Sequence, residues 1–472
     1  MNILVSGGTG FVGRALVLRL RRDGHDVTVL ARDAARAGSL LGTEARIVST
    51  NAPDVLAAEV ERAHAVISLA GEPVIGRWTT RRRESIRKSR TDSTRKLVEA
   101  IGKAATPPKV FVSASAVGYY GDGGDRVLTE ESPIGSGFLA DVCQDWEFEA
   151  RKAESGATRV AIFRIGVVLG LGGGALEPML PLFRAGVGGP IGSGRQYVSW
   201  IHLEDLVGMM ATAIMDARYS GTFNATGPEP VTFKAFAKAL GRALHRPAMV
   251  PAPSFAIRAV FGEAASVLLE GQRALPEKTL ELGFRHRFTT VDAALGDLFS
   301  GDSVHIGPIE GPIPQSAYLE KRRPIYLLHT ETVLDRSIDE VFHVFSRPEN
   351  LGLITPPGMS FRVTSAPDRI VEGAHIEYRM RIRGIPIRWT TRIDAWEDGA
   401  RFVDSQLQGP YSSWWHEHNF RAEGDRTVMT DRVYYAPPLG PLGRIANALF
   451  ITSELKGVFG YRAAIMRLRF GG

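Results

Sequence analysis

Gly7, Gly10 and Gly13 follow the apolar run Ile3-Leu4-Val5 as Gly-x-x-Gly-x-x-Gly, and no other feature narrows the fold of this chain so far. Glycines at this spacing let the backbone turn sharply out of a strand and approach a pyrophosphate. They also open a helix whose free amides and dipole meet negative charge. A triplet of glycines is weak by itself. Here a second apolar run, Val27 to Leu30, supplies the strand–turn–helix–strand context that a dinucleotide site requires. Ala31-Arg32-Asp33 comes next. An arginine after the second strand suits a ribose 2′-phosphate through paired charged hydrogen bonds, which points to NADP(H). Two alternatives stay open: Asp33 holding the 2′-hydroxyl of NAD, and Arg32 as an ordinary loop cation.

Further short apolar runs, Ala65 to Leu69 and Val110 to Ser113, alternate with amphipathic segments up to about Phe299. Strand and helix in repetition predict right-handed crossovers and an α/β, Rossmann-type doubly wound parallel sheet. Residues 228–299, richer in helix and prolines, read as a smaller C-terminal lobe over the sheet edge. Residues 300–324 are rich in Gly, Pro and polar side chains and read as a linker. After it the grammar changes. A strand at Tyr326 to Leu334 and a helix at Ile338 to Phe345 precede period-two strands at His375 to Ile382, Ile387 to Trp396, Trp414 to Phe420 and Thr427 to Tyr435. A long helical pattern, Leu442 to Phe470, closes the chain. Residues 325–472 therefore predict an α+β domain of helix-grip type, an antiparallel sheet curled around that last helix.

At 472 residues the chain exceeds one ordinary core. Its excess of Lys plus Arg (57) over Asp plus Glu (51) gives only +6, too dilute for a nucleic-acid surface. The densest basic run, from Arg81 to Arg90, has helical spacing and reads as a solvated or phosphate-facing helix. A single cysteine, Cys143, rules out an intramolecular disulfide and a cysteine-rich metal site. No apolar stretch suits a membrane span, and the first strand is no signal peptide, so a cytoplasmic location is expected.

The segments GGTGFVG, SLAGEPVIGRW, KSRTDST, VSASAVGYYGD, TEESP, FLADVCQDWE, FRIGVVLGLGGGAL, GSGRQYVSWIHLEDL and FNATGPEPVT occur in order. Together they resemble the atypical short-chain dehydrogenase/reductases grouped as epimerase family proteins. The stretch from ALHRPAMVPAPSF to EKTLELGF is similar to that group's small C-terminal segment of unknown function. The likeness spans residues 1 to about 298 and implies an NADP-binding extended Rossmann domain. By position it assigns cofactor contacts to Gly7, Thr9, Gly10, Phe11, Val12 and Gly13, to Ala31 and Arg32, to Leu69, Ala70 and Gly71, and to Arg90 and Val168. It names no substrate.

The Tyr-x-x-x-Lys pair that usually transfers the proton in this superfamily is missing. Leu139 and Cys143 stand roughly where it belongs. Candidate replacements are Ser113 and Ser115 at the end of the fourth apolar run and Tyr119 in the loop beyond, although packing accounts for Tyr119 or Tyr120 equally well. His202 reads better as a brace than as a proton carrier. The expectation is an NADP(H)-dependent oxidoreductase or epimerase-like enzyme on a small molecule, or else a non-catalytic NADP(H)-binding sensor.

TETVLDRSIDEVFHVFSRPENLGLITPPG, WTTRIDAWEDG, GPYSSWWHEHNF and MTDRVYYAPPLGPLG resemble the START/polyketide-cyclase-like (SRPBCC) ligand-binding superfamily, which implies an apolar cavity. Trp414, His416, His418 and Phe420 share one strand face, and Ile385, Ile387, Trp389 and Ile393 share another. They make either a pocket for a hydrophobic or aromatic ligand or a filled core whose histidines are satisfied by neighbours such as Asp431. No metal is expected, because in His416-Glu417-His418 the glutamate projects to the opposite face.

Overall fold

The computed structural model describes residues 1–50, 53–299 and 304–472. The chain divides into two compact units. One holds Met1–Ala34 and the described residues of 44–299; the other holds Ala35–Thr43 and the described residues from Val304 to Gly472.

The first unit is built on a seven-stranded sheet. Its strands include β1 (Asn2–Ser6), β2 (Asp26–Ala31), β3 (Arg46–Ser49), β4 (Ala65–Ser68) and β5 (Val110–Ala116). Across the sheet the order is Gly221–Ala225, Arg159–Ile165, β5, β4, β1, β2, β3, and every neighbouring pair is parallel. A parallel sheet is covered on both faces, so its strands read as continuous apolar runs. Leu4, Val66, Phe111 and Val160 accordingly share one buried cluster with Leu97 and Ile101 from the helix Thr80–Lys103. The strand order reverses between β1 and β4, and the loops leaving these two strands open the crevice where such sheets take ligands.

Within residues 228–299, the helices Phe233–Ala243 and Val291–Phe299 bury Phe233, Phe236, Leu240, Val291 and Leu295 against Leu169, Leu176, Phe183 and Trp200.

The second unit carries an eight-stranded antiparallel sheet. In spatial order its strands are Val304–Pro308, Tyr326–Leu334, Arg426–Ala436, Ser413–Glu423, Arg401–Gln408, Ile385–Glu397, His375–Ile382 and Arg362–Ser365. Leu455 and Phe459 of the helix Thr452–Phe470 pack with Leu328, Trp389, Trp414, Val433 and Tyr435.

Three expectations change here. Residues 304–324 are not a plain linker, since Val304–Pro308 forms an edge strand on Tyr326–Leu334 and Ala317–Lys321 is a helix that buries Tyr318 and Leu319; residues 300–303 of the expected linker lie outside the described residues. Proline is tolerated at the end of an edge strand, where no ladder amide is lost, so its presence hid the element. The sheet also contains two strands beyond those the sequence pattern predicts, Arg362–Ser365 and Arg401–Gln408. Finally, the closing helical pattern is divided into Gly440–Ala446, a π-helical turn at Asn447–Ile451, and Thr452–Phe470. The turn carries Asn447, whose Oδ1 accepts from the Tyr435 hydroxyl at 3.0 Å. Among the described residues no helix is long and apolar enough to cross a membrane.

Candidate functional site

The glycine loop explains itself sterically. Gly7 has φ +82°, and a Cβ there would lie 2.6 Å from the Leu69 carbonyl carbon and 2.7 Å from the Ala70 nitrogen. A Cβ on Gly13 would stand 2.1 Å from the Gly7 oxygen. The loop after β1, the loop after β4 and the first turn of helix α1 (Phe11–Arg22) therefore meet backbone to backbone. Gly10 caps α1 with extended backbone and no side-chain cap, leaving the first-turn amides for an external acceptor. This is the cradle that a diphosphate fits.

The other predicted cofactor residues lie around it in groups. Leu69 and Ala70 face Gly7, and Gly71 lies against the Arg90 guanidinium, 3.1 Å from the position of an added Cβ to the Arg90 Cζ. Arg90 donates to the carbonyls of Ile86 (2.9 Å) and Glu72 (3.0 Å), and burial pushes its pKa below the ordinary value. Phe11 packs under Gly170, Gly173 and Gly174, and Gly174 approaches the Val168 carbonyl. The glycine run at 172–174 thus turns closely around a ring. Thr9 and Val12 are half-buried in the loop and first turn, Ala31 is buried at the end of β2, and Arg32 beyond it is exposed. No hydrogen bond or ion pair engages Arg32 among the described residues.

The predicted catalytic residues part company. Ser113 is buried in β5, its hydroxyl 3.2 Å from the Ala114 carbonyl. Ser115 donates at 2.8 Å to Glu147 Oε1, which also accepts from Arg164 Nε at 2.8 Å, while Arg164 Nη2 donates to Oε2 at 3.0 Å. Arg164 Nη1 donates to the Tyr120 hydroxyl at 2.9 Å, and that hydroxyl lies 2.7 Å from the Asn224 Oδ1 it donates to. Burial opposes the Arg164 charge, but the Glu147 hydrogen bonds outweigh it and hold the guanidinium above its ordinary pKa. Burial also pushes the Tyr120 phenol up to about 12. Ser115 and Tyr120 therefore belong to a buried network whose outer end is Arg151, which donates to Glu147 Oε2 at 2.9 Å. Tyr119 lies half-buried with its ring 3.4 Å beneath the Arg164 guanidinium, and no hydrogen bond to its hydroxyl occurs among the described residues.

Leu139 and Cys143 do face the loop after β5, since a Cβ on Gly118 would lie 3.4 Å from Leu139 and 4.0 Å from the Cys143 sulfur. Burial, reinforced by Glu147, raises the Cys143 thiol to about 11, so it is no thiolate nucleophile near neutrality. His202 is a brace: its Nδ1 accepts from the Glu204 amide at 3.2 Å at the start of the helix Leu203–Met215.

In the second unit a cavity of about 210 Å³ opens between the sheet and the helix Thr452–Phe470. Its walls include Ile354, Ile376, Trp389, Ile393, Trp414 and Phe459, and its polar lining includes Asp404, His416, His418 and Arg462. Of the two predicted faces, Trp389, Ile393, Trp414, His416 and His418 line it. Ile385 is exposed, and Phe420 instead packs on Phe345 and Phe402. Pocket and partnered histidines coexist: His416 hydrogen-bonds Asp431 at 2.9 Å and His418 hydrogen-bonds Asp404 at 3.2 Å. Glu417 points to the other face and accepts from Arg401 Nε at 2.8 Å. Asp404 joins the histidines from the strand Arg401–Gln408, which the period-two pattern does not mark. Burial works against it, yet His416 and His418 hold its carboxyl well below the usual range.

Residues 3–225 match the model of the NAD dependent epimerase/dehydratase family, and residues 252–298 match a domain of unknown function, DUF1731. An epimerase family protein SDR39U1 homolog, chloroplastic, from Arabidopsis thaliana is 43% identical over 304 residues, covering 62% of this chain and 86% of that protein. Epimerase family protein YfhF of Bacillus subtilis is 38% identical over 303 residues, covering 64% and 98%. The crystal structure of human epimerase family protein SDR39U1 with NADPH superposes with a TM-score of 0.58 at 38% identity, over 63% of this chain and 98% of that one.

Proposed function

The chain belongs to the NAD dependent epimerase/dehydratase family, among the SDR39U1-like epimerase family proteins, and from that premise we propose that its first unit binds NADP(H) and acts on a small molecule as an oxidoreductase or epimerase-like enzyme. The observation that carries this reading is the cradle in which Gly7 and Gly13 exclude any side chain. The α1 amides would hold the diphosphate, Arg32 the 2′-phosphate, and the backbone of Leu69, Ala70 and Gly71 would run along the dinucleotide. When bound, the nicotinamide supplies or takes the hydride. Of the three hydroxyls first considered, Ser113 and Ser115 are committed to their surroundings, which leaves Tyr119 to carry the proton.

A second reading is favoured by one observation: Leu139 and a high-pKa Cys143 stand where the superfamily keeps its proton-transferring pair. On that reading the unit senses NADP(H) without turnover. The test is to assay purified protein for bound NADPH, then follow cofactor oxidation over a panel of carbonyl compounds, with Tyr119→Phe as the control. Turnover that Tyr119→Phe lowers at least tenfold supports the enzyme. Tight cofactor with no turnover supports the sensor.

For the second unit, the START-like resemblance and the aromatic walls of the cavity support binding of a hydrophobic or aromatic compound. A cavity of about 150 Å³ lined by apolar side chains accepts benzene, so about 210 Å³ suits a substituted ring. Quenching of Trp389 and Trp414 emission by such compounds tests it.

A further inference from the structure

We propose that Asp404, His416 and His418 form a binding site for one divalent transition-metal ion, with Asp431 orienting both imidazoles. The strand register creates the set. Asp404 lies opposite His416, and His418 lies opposite Asp431. His416 and His418 are two residues apart on one strand, so all four side chains share the cavity-facing side of the sheet.

The two rings stand between the two carboxylates by opposite nitrogens: His416 hydrogen-bonds Asp431 through Nε2 and His418 hydrogen-bonds Asp404 through Nε2, while His418 Nδ1 lies close to Asp431 without a hydrogen bond. His416 Nε2 and His418 Nδ1 lie 2.9 and 2.7 Å from Asp431 Oδ1. His416 Nδ1 and His418 Nε2 lie 3.3 and 3.2 Å from Asp404 Oδ2. A neutral imidazole has one N–H. In the tautomers that carry the N–H on His416 Nε2 and His418 Nδ1, the lone pairs of His416 Nδ1 and His418 Nε2 lie beside the same Asp404 oxygen. Three acceptors then surround one point. A single proton satisfies one of these contacts, whereas a cation between them satisfies all three.

Ligand atoms about 2.1 Å from a tetrahedral ion stand about 3.4 Å apart, and about 3.0 Å apart around an octahedral one. The two Asp404 contacts fall in that interval, and the three donor atoms lie within 4.8 Å of one another. Metal-bound histidines pass their other N–H to a carboxylate that fixes tautomer and ring orientation, which is the part Asp431 takes. Arg462 Nη1, 3.2 Å from Asp431 Oδ1, neutralises that carboxylate and marks it as the outer partner.

Two imidazoles and one carboxylate are the donor set of zinc or ferrous iron, not of calcium or magnesium. The three donors line the apolar cavity, so the remaining coordination positions would take water or an oxygen of an apolar compound bound there. The metal site does not depend on the dinucleotide reading of the first unit.

The experiment uses the full chain, free of affinity tags, stripped with chelator and dialysed. Titration with Co²⁺ followed by visible absorption, and with Zn²⁺ by calorimetry, should show one equivalent per chain. His416→Ala, His418→Ala and Asp404→Asn should each abolish binding, and Asp431→Asn should weaken it by about 10–100-fold. Glu417→Gln, on the opposite sheet face, should bind as the parent does. Circular dichroism accompanies each variant; if an alanine variant unfolds, the near-isosteric His418→Gln and Asp404→Asn decide. Absence of binding at 100 micromolar-order metal by the parent protein, or binding unchanged in folded Asp404→Asn and His418→Gln, overturns the proposal.

Discussion

Each unit buries a cluster of ionisable groups, and the two clusters are built differently. In the first unit Arg164, Glu147, Ser115, Tyr120 and Asn224 direct their hydrogen-bonding atoms at one another, with distances of 2.7–3.0 Å. In the second, His416 bonds Asp431 at 2.9 Å and His418 bonds Asp404 at 3.2 Å, while His418 Nδ1 and Asp431 Oδ2 make no hydrogen bond among the described residues, and Asp404 and both rings line the cavity. A network whose members are all partnered fixes the packing of strand and helix. A network with unspent atoms beside open volume is arranged for something that arrives later. Burying charge is costly in both cases, so the distinction lies in where the hydrogen bonds end.

The largest effect should come from opening the buried network. Arg164→Leu leaves Glu147 buried with the half-exposed Arg151 as its remaining charged partner and should cost about 3–5 kcal/mol, measured by denaturant-induced unfolding. A loss under about 1 kcal/mol would mean that the network is not structural. The matching change in the second unit, His418→Phe, should cost less, about 1–3 kcal/mol, because the ring keeps its stack on Phe402 at 4.0 Å. An equal or larger loss there would erase the contrast between the clusters.

Arg32→Ala removes an exposed charge outside both clusters. It should weaken NADPH by about 10–100-fold, roughly 1.4–2.8 kcal/mol, leave NADH nearly unchanged and not alter stability. Parallel losses for the two cofactors in binding titrations would remove Arg32 from the 2′-phosphate. Ser115→Ala should cost about 1–2 kcal/mol of stability and leave turnover, where found, in place. Full folding with lost turnover would move Ser115 from the network to the chemistry.

The smallest effect concerns Cys143. With its thiol raised to about 11 by burial, about one molecule in a thousand is thiolate at pH 8. Alkylation should be slow there and speed up tenfold per pH unit until the thiol titrates. Mass spectrometry of iodoacetamide-treated native protein reads it. Rapid modification at pH 7 would show a reactive, exposed cysteine instead.

Much of this was legible in order along the chain. The glycine triplet, the apolar runs and the period-two strands report backbone geometry that depends on near neighbours in sequence, so the doubly wound sheet and most strands of the second unit could be read directly. Val304–Pro308 and Arg401–Gln408 escaped, the first because Gly307 and Pro308 mimic a connector, the second because Arg401, Asp404 and Gln406 blur its alternation. Missing the second strand meant missing Asp404, and with it the third member of the cluster.

What the sequence alone determined is the local chemistry: a phosphate cradle after β1, an absent tyrosine–lysine pair, and two imidazoles on one strand face. Only the tertiary structure decided which hydroxyls were spent and which ring nitrogens converge. Ser115 meets Glu147 from 32 positions away, and Asp404 and Asp431 close on His416 from either flanking strand. Such contacts depend on strand order and register across the sheet, and no spacing along the chain encodes them.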